Sequence, residues 1–277
     1  MFWPLTKPLT FPLSKKRFAF LLLLLGTPSL EAQAQGDLSE RLRENARTFK
    51  YFYKPEAAPP AYQRLGYWAG AAAVAAFMPF DESLSQNVRR PRRPWKNGLA
   101  TAAEPWGNPR YVLPAGALSY GLAFLIRPGT AWEEVSGDAF RSLAATSVAV
   151  VALKYATGRR RPARHPDQPY RFFRYRDWDD TPSFPSGHAA LAFALASSLS
   201  RSAEDKWWAA VPLYGLAAAT AWQRVYDGRH WPSDVVAGAL LGTILGRSFT
   251  RPESSAISFR YQAPPGSSLG ITLEWRW

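Results

Sequence analysis

Residues 140–156 read FRSLAATSVAVVALKYA, a run rich in Ala, Val and Leu that carries Lys154 near its end. Ala and Leu favour helix, and seventeen residues exceed the usual strand of about five or six, so the run predicts a helix with little room for polar groups. Working outward, five more Ala-rich apolar runs share this character, at 66–80, 111–126, 187–199, 207–223 and 233–245. Polar, proline-studded loops separate them. The expected fold is all-α, a six-helix bundle occupying residues 65–250.

The runs hold 13 to 17 residues. A membrane span needs about 20 apolar residues, so their length favours helices that bury one another in a soluble bundle. The basic run Arg89-Arg90-Pro91-Arg92-Arg93 would lie on the inner side of a six-span arrangement. The positive-inside rule prefers that placement, which keeps a membrane-embedded bundle as the alternative.

Both ends of the chain read differently. Lys7, Lys15, Lys16 and Arg17 precede an apolar stretch over 18–25, and Ala32-Gln33-Ala34 follows, the pattern of a cleavable export signal over residues 1–34. Residues 35–64 contain an amphipathic helix over 37–53, with Leu38, Leu42, Ala46, Phe49 and Tyr53 on one face, and then a Pro-rich linker. In 251–277, Ile257, Phe259 and Tyr261 alternate with polar residues, Pro264-Pro265-Gly266 turns the chain, and Leu269, Ile271, Leu273, Trp275 and Trp277 alternate again. That is the signature of a β-hairpin with one apolar face, suited to packing on the bundle or resting on a membrane surface. Export makes the protein periplasmic or membrane-associated.

At 277 residues the chain fits one medium domain with extensions. Its net charge of +13 favours an anionic partner. With no cysteine in the sequence, a disulfide framework, a thiolate metal site and a Cys nucleophile are all excluded. Chemistry falls to His, Ser, Asp, Glu, Lys and Arg.

Three stretches gather those residues: Lys154 followed by Arg161-Pro162; Pro185-Ser186-Gly187-His188; and Arg224, His230 and Asp234. Lys154 and Arg161 present two cations where a helix ends, and Arg224 adds a planar fork suited to two phosphate oxygens. Gly187 opens a helix, so its N–H and that of His188 can face an anion with the helix dipole behind them, and Ser186 adds a hydroxyl. Asp234 lies four residues after His230, placed to accept from one imidazole nitrogen and leave the other nucleophilic. His188 can protonate the departing oxygen. His165, the third histidine, lacks such a setting and reads as a rim residue.

In this order and spacing the three motifs resemble those of the type 2 phosphatidic acid phosphatase and vanadium haloperoxidase superfamily, across residues 140–247. The resemblance implies a metal-independent phosphatase acting on phosphate monoesters through a phosphohistidine. In that reading Lys154, Arg161, Ser186, Gly187 and Arg224 bind phosphate, His188 is the general acid, His230 the nucleophile and Asp234 its orienting partner. No metal and no cofactor are expected. One departure stands out: Gln223 precedes Arg224 where the family commonly has Ser.

The expected partner is a phosphorylated small molecule or a lipid phosphate; nucleic acid is not expected. The stretch 163–184, with Tyr170, Phe172, Phe173, Tyr175, Trp178 and four arginines, reads either as a substrate rim or as a plug of the bundle end. Two rival functions remain: a vanadium-dependent haloperoxidase, for which the chain is short, and a non-catalytic binder of anionic ligands, which leaves the paired histidines unexplained.

Overall fold

The computed structural model describes residues 61–173 and 181–250. The expected export signal, the helix over 37–53 and the hairpin of 251–277 lie outside the described residues. Within them the chain is all-helical: α1 (Ala61–Phe77), a 3-10 turn (Met78–Phe80), α2 (Asp81–Arg89), α3 (Pro94–Gly107), α4 (Pro109–Ile126), α5 (Ala131–Thr157), α6 (Gly187–Ser202), α7 (Trp207–Tyr226) and α8 (Pro232–Ser248).

Each of the six expected runs lies within or overlaps a helix, but the described chain forms eight α-helices rather than six. The two unforeseen ones are α2 and α3. The first is a polar nine-residue helix, DESLSQNVR, with Asp81 and Glu82 in its first turn and Arg89 in its last, charges that complement the helix dipole. It carries no apolar run to betray it. The second opens on Pro94 just after the basic stretch and includes Gly98 and Pro105, residues that usually punctuate loops.

The helices are also longer than expected. α5 spans 27 residues because it starts at Ala131, well before the apolar run. In its polar first half Glu133 accepts from the Gly129 N–H at 2.8 Å and Arg141 pairs with Asp138. Gly158, at φ 53°, takes the left-handed position that ends it.

α6 forms the centre. Ala189, Ala190, Ala192, Ala194 and Ala196 are all fully buried, so small side chains face neighbours on every side. Its closest partner is α8, which meets it along Gly238, Gly242 and Gly246. A Cβ at Gly242 would lie 2.1 Å from the Ala190 carbonyl oxygen, and at Gly238 2.4 Å from that of Ser186. Only hydrogen fits there, and the small-residue row brings two backbones to contact distance. At one end of this pair Arg247 holds Asp205 through both oxygens, at 2.6 and 3.1 Å. At the other end the three motifs meet.

The outer faces are apolar. Leu118, Leu122, Leu125 and Ile126 of α4, Val148, Val151 and Tyr155 of α5, and Trp207, Val211 and Leu216 of α7 are exposed. Among the described residues one helix, α5, is long and apolar enough to cross a membrane by length and composition.

Candidate active site

The C-terminal ends of α5 and α7 and the N-terminal ends of α6 and α8 share one end of the bundle, so Lys154, Ser186, Gly187, His188, Arg224 and Asp234 come from helix termini while Arg161 and His230 come from loops. Two caps join the motifs. Ser186 caps α6, and its own N–H donates to the Asp234 carbonyl at 2.9 Å, tying the second motif to the third. Asp234 reaches back to accept from the Trp231 N–H at 2.8 Å at the start of α8.

His230 is buried in the loop between α7 and α8. Its Nδ1 lies 2.8 Å from the Ser183 carbonyl oxygen and 3.7 Å from Asp234 Oδ2. A carbonyl only accepts, so Nδ1 carries the proton and Nε2 keeps the lone pair. The sequence pointed to Asp234 as the ring's acceptor; the nearer acceptor is a backbone carbonyl, with Asp234 behind it. Burial pushes the His230 imidazole down to about 3, against the opposing pull of Asp234, so the ring is neutral in ordinary buffers.

Ser183 is the hub that sequence reading missed. Its carbonyl also receives Lys154 Nζ at 3.3 Å, its hydroxyl donates to Asp234 Oδ2, and its N–H donates to the Arg159 carbonyl at 2.7 Å. Lys154 Nζ gives a second bond to the Pro182 carbonyl at 2.6 Å, which leaves one of its three N–H bonds for an anion.

Arg159 was missed as well. Three arginines stand in a row at 159–161, and only the first is fully buried. Its guanidinium lies between Asp234 Oδ1 at 2.5 Å and Asp81 Oδ2 at 2.6 Å, with Phe172 stacked 4.9 Å away. Phe172 also packs on Phe184, so this part of the 163–184 stretch acts as a plug. Arg161 instead donates through Nε to the Thr181 carbonyl at 2.7 Å.

Across the cradle, Arg224 donates to Gln223 Oε1 at 3.2 Å while its buried Nε has no hydrogen-bond partner among the described residues. The Gln223 amide in turn donates to Asp227, so the residue that replaces the family's Ser braces the end of α7. His188 is part-buried, with Nε2 3.8 Å from Glu104 Oε1 of α3, a neighbour hidden from sequence reading because α3 itself was. Lys154, Arg161 and Arg224 lie within electrostatic reach of one another and of His188. Three cations, two helix N-termini and two histidines thus gather at one end of the bundle, a set of groups suited to an oxyanion.

Residues 137–253 match the family model described as the PAP2 superfamily. This segment, less than half of the chain, is similar to the PAP2 superfamily. Its PAP2 segment is 36% identical over 99 residues to a lipid A 1-phosphatase of Porphyromonas gingivalis, covering 35% of this chain and 19% of that protein. It is 40% identical over 63 residues to an undecaprenyl-diphosphatase of Sulfolobus acidocaldarius, covering 22% and 29%. The chain therefore spans less than a third of the length of either relative. The fold is that of a transmembrane PAP2 type phosphatidylglycerolphosphate phosphatase from Bacillus subtilis, with a TM-score of 0.53 and 24% identity over 69% of this chain and 93% of that one. All three motifs lie inside the PAP2 segment, whereas Asp81 and Glu104 come from helices that precede it.

Proposed function

We propose that this protein hydrolyses phosphate monoesters carried by lipids, without a metal, through a phosphohistidine at His230. The observation that carries the reading is the His230 ring, whose Nδ1–H is committed to the Ser183 carbonyl at 2.8 Å, so that the nucleophilic lone pair sits on Nε2. Nε2 attacks phosphorus and the P–O bond to the lipid alcohol breaks. Burial and the nearby Arg224, Arg161 and Lys154 hold the His188 imidazole down at about 3, so it takes up a proton only with the anionic phosphate in place, and then gives that proton to the departing oxygen. A water then attacks phosphorus, passing its proton to the now neutral His188, and the N–P bond breaks to release phosphate and restore His230. Lys154, Arg161 and Arg224, with the Ser186 hydroxyl and the Gly187 N–H, neutralise the equatorial oxygens, the work that metal ions do in other phosphatases.

Two things support a lipid substrate. The flanks of α4, α5 and α7 expose apolar side chains beside a site made of polar ones, and the relatives carry lipid-phosphatase names. The bundle is accordingly proposed to sit in the membrane. Assay of the purified chain against lipid phosphates in detergent micelles and against soluble phosphate esters tests this. Faster turnover of the lipids, unaffected by EDTA and blocked by vanadate, is the expected result; loss of activity in EDTA with recovery on added zinc or magnesium contradicts it.

A further inference from the structure

We propose that Asp81 and Arg159 are positioning residues for phosphoryl transfer, a buried pair that fixes the Asp234 carboxylate and supplies the negative charge that balances the phosphohistidine. The inference rests on the His230 chemistry proposed above and names two residues that the motifs leave out.

Arg159 spends all five of its N–H bonds inside the protein. Nε and Nη2 donate to the Pro169 carbonyl at 2.8 and 2.6 Å, Nη2 also to Asp81 Oδ2 at 2.6 Å, and Nη1 to Ser233 Oγ at 2.7 Å and Asp234 Oδ1 at 2.5 Å. Asp81, at the start of α2, completes the cage. It accepts the Ser233 N–H at 2.8 Å on one oxygen and the Ser233 hydroxyl at 2.6 Å on the other. The side chains of Arg159, Asp81 and Asp234 have no exposed surface. A guanidinium with every donor committed does not bind substrate; its place is behind the ring, holding the carboxylate that lies 3.7 Å from Nδ1.

The charges of this cluster explain why two carboxylates are needed. Asp81, Arg159 and Asp234 sum to one negative charge while His230 is neutral. When Nε2 bonds to phosphorus, the ring keeps its Nδ1 proton and becomes an imidazolium. The cluster is then neutral. Without Asp81, Arg159 would cancel Asp234 alone, and the new positive charge on the ring would form in a desolvated place with no net negative charge behind it, where such charges are most costly.

The test is rapid mixing of the purified full chain with a labelled phosphate ester, followed by acid-labile adduct measured for both rate and stoichiometry. Asp81→Asn keeps the shape and removes the charge. It is expected to form the adduct with a stoichiometry near that of the wild type but about 10–100-fold more slowly, with KM within about twofold. Asp81→Glu, which keeps the charge, should recover part of the rate, and it stands in should the amide variant fail to fold. Arg159→Lys, charged but without the fork, should be slowed like Asp81→Asn. Wild-type rates per labelled site in Asp81→Asn, or a loss confined to stoichiometry, overturn the positioning role while leaving the His230 reaction standing. A wild-type enzyme that turns over without any histidine adduct removes that reaction, and the proposal with it.

Discussion

In the His230 ring, the proton on Nδ1 is fixed by a carbonyl that no sequence pattern announces, and two consequences can be measured. The buried imidazole titrates at about 3 and the same ring in the unfolded chain near 6.5. Between those values the unfolded chain binds a proton that the folded protein does not, so this ring's effect is to lower stability as pH falls, by at most about 1.4 kcal/mol per pH unit. Wild-type Tm in detergent should therefore fall more between pH 7 and 4.5 than that of His230→Gln; equal slopes contradict the burial of a neutral ring. The second concerns His188. If it protonates the leaving oxygen, His188→Ala should slow phenyl phosphate far more than nitrophenyl phosphate, whose leaving group needs no proton. Equal losses contradict the role. At this scale the sequence showed which residue types gather, because Lys, Arg, His and Asp at fixed gaps stand out against Ala-rich helices. It did not show Ser183, Arg159 or Asp81, since a backbone acceptor, the first of three adjacent arginines and an acid on an unrecognised helix carry no local signal.

Between elements, the decisive contact is the one between α6 and α8, and it too was only half legible. The Ala-rich run of 187–199 and the small residues of 233–245 predicted helices, but that Gly238, Gly242 and Gly246 form a single row against the α6 backbone depends on which faces meet. Gly242→Ala places a methyl where the Ala190 carbonyl stands 2.1 Å away. It should destabilise the fold by about 1–3 kcal/mol, the usual cost of overpacking. The same change at Gly215 on α7, where nothing lies within 4 Å, serves as the control and should be neutral or slightly stabilising, because Ala is the better helix former. A Gly242→Ala variant with unchanged Tm contradicts the contact. α2 and α3 were illegible for another reason. Their helical character rests on end charges, on tertiary partners such as the Asp81 cage and the Thr220 hydroxyl bond to the Ala103 carbonyl at 2.8 Å, and not on apolar periodicity.

For the whole molecule, run length underestimates the helices. The apolar stretches favoured a soluble bundle; α4, α5 and α7 reach 18, 27 and 20 residues once their polar or aromatic ends are included, and among the described residues α5 is the one long and apolar enough to cross a membrane. Leu118 and Leu125 of α4, Val148 of α5 and Trp207 and Val211 of α7 are exposed. The protein should accordingly stay in the membrane pellet through an alkaline carbonate wash and leave it only in detergent; release by carbonate contradicts a membrane-embedded bundle.

The central claim is that His230 carries the phosphoryl group during turnover. Rapid acid-free quenching of the enzyme during hydrolysis of a labelled phosphate ester, followed by peptide mapping, tests it most directly. The predicted result is an alkali-stable, acid-labile phosphoryl group on His230, discharged by a chase of unlabelled substrate and absent from His230→Ala, which should also lose at least about a thousandfold in kcat. Label on any other residue, or full activity in His230→Ala, would contradict the account.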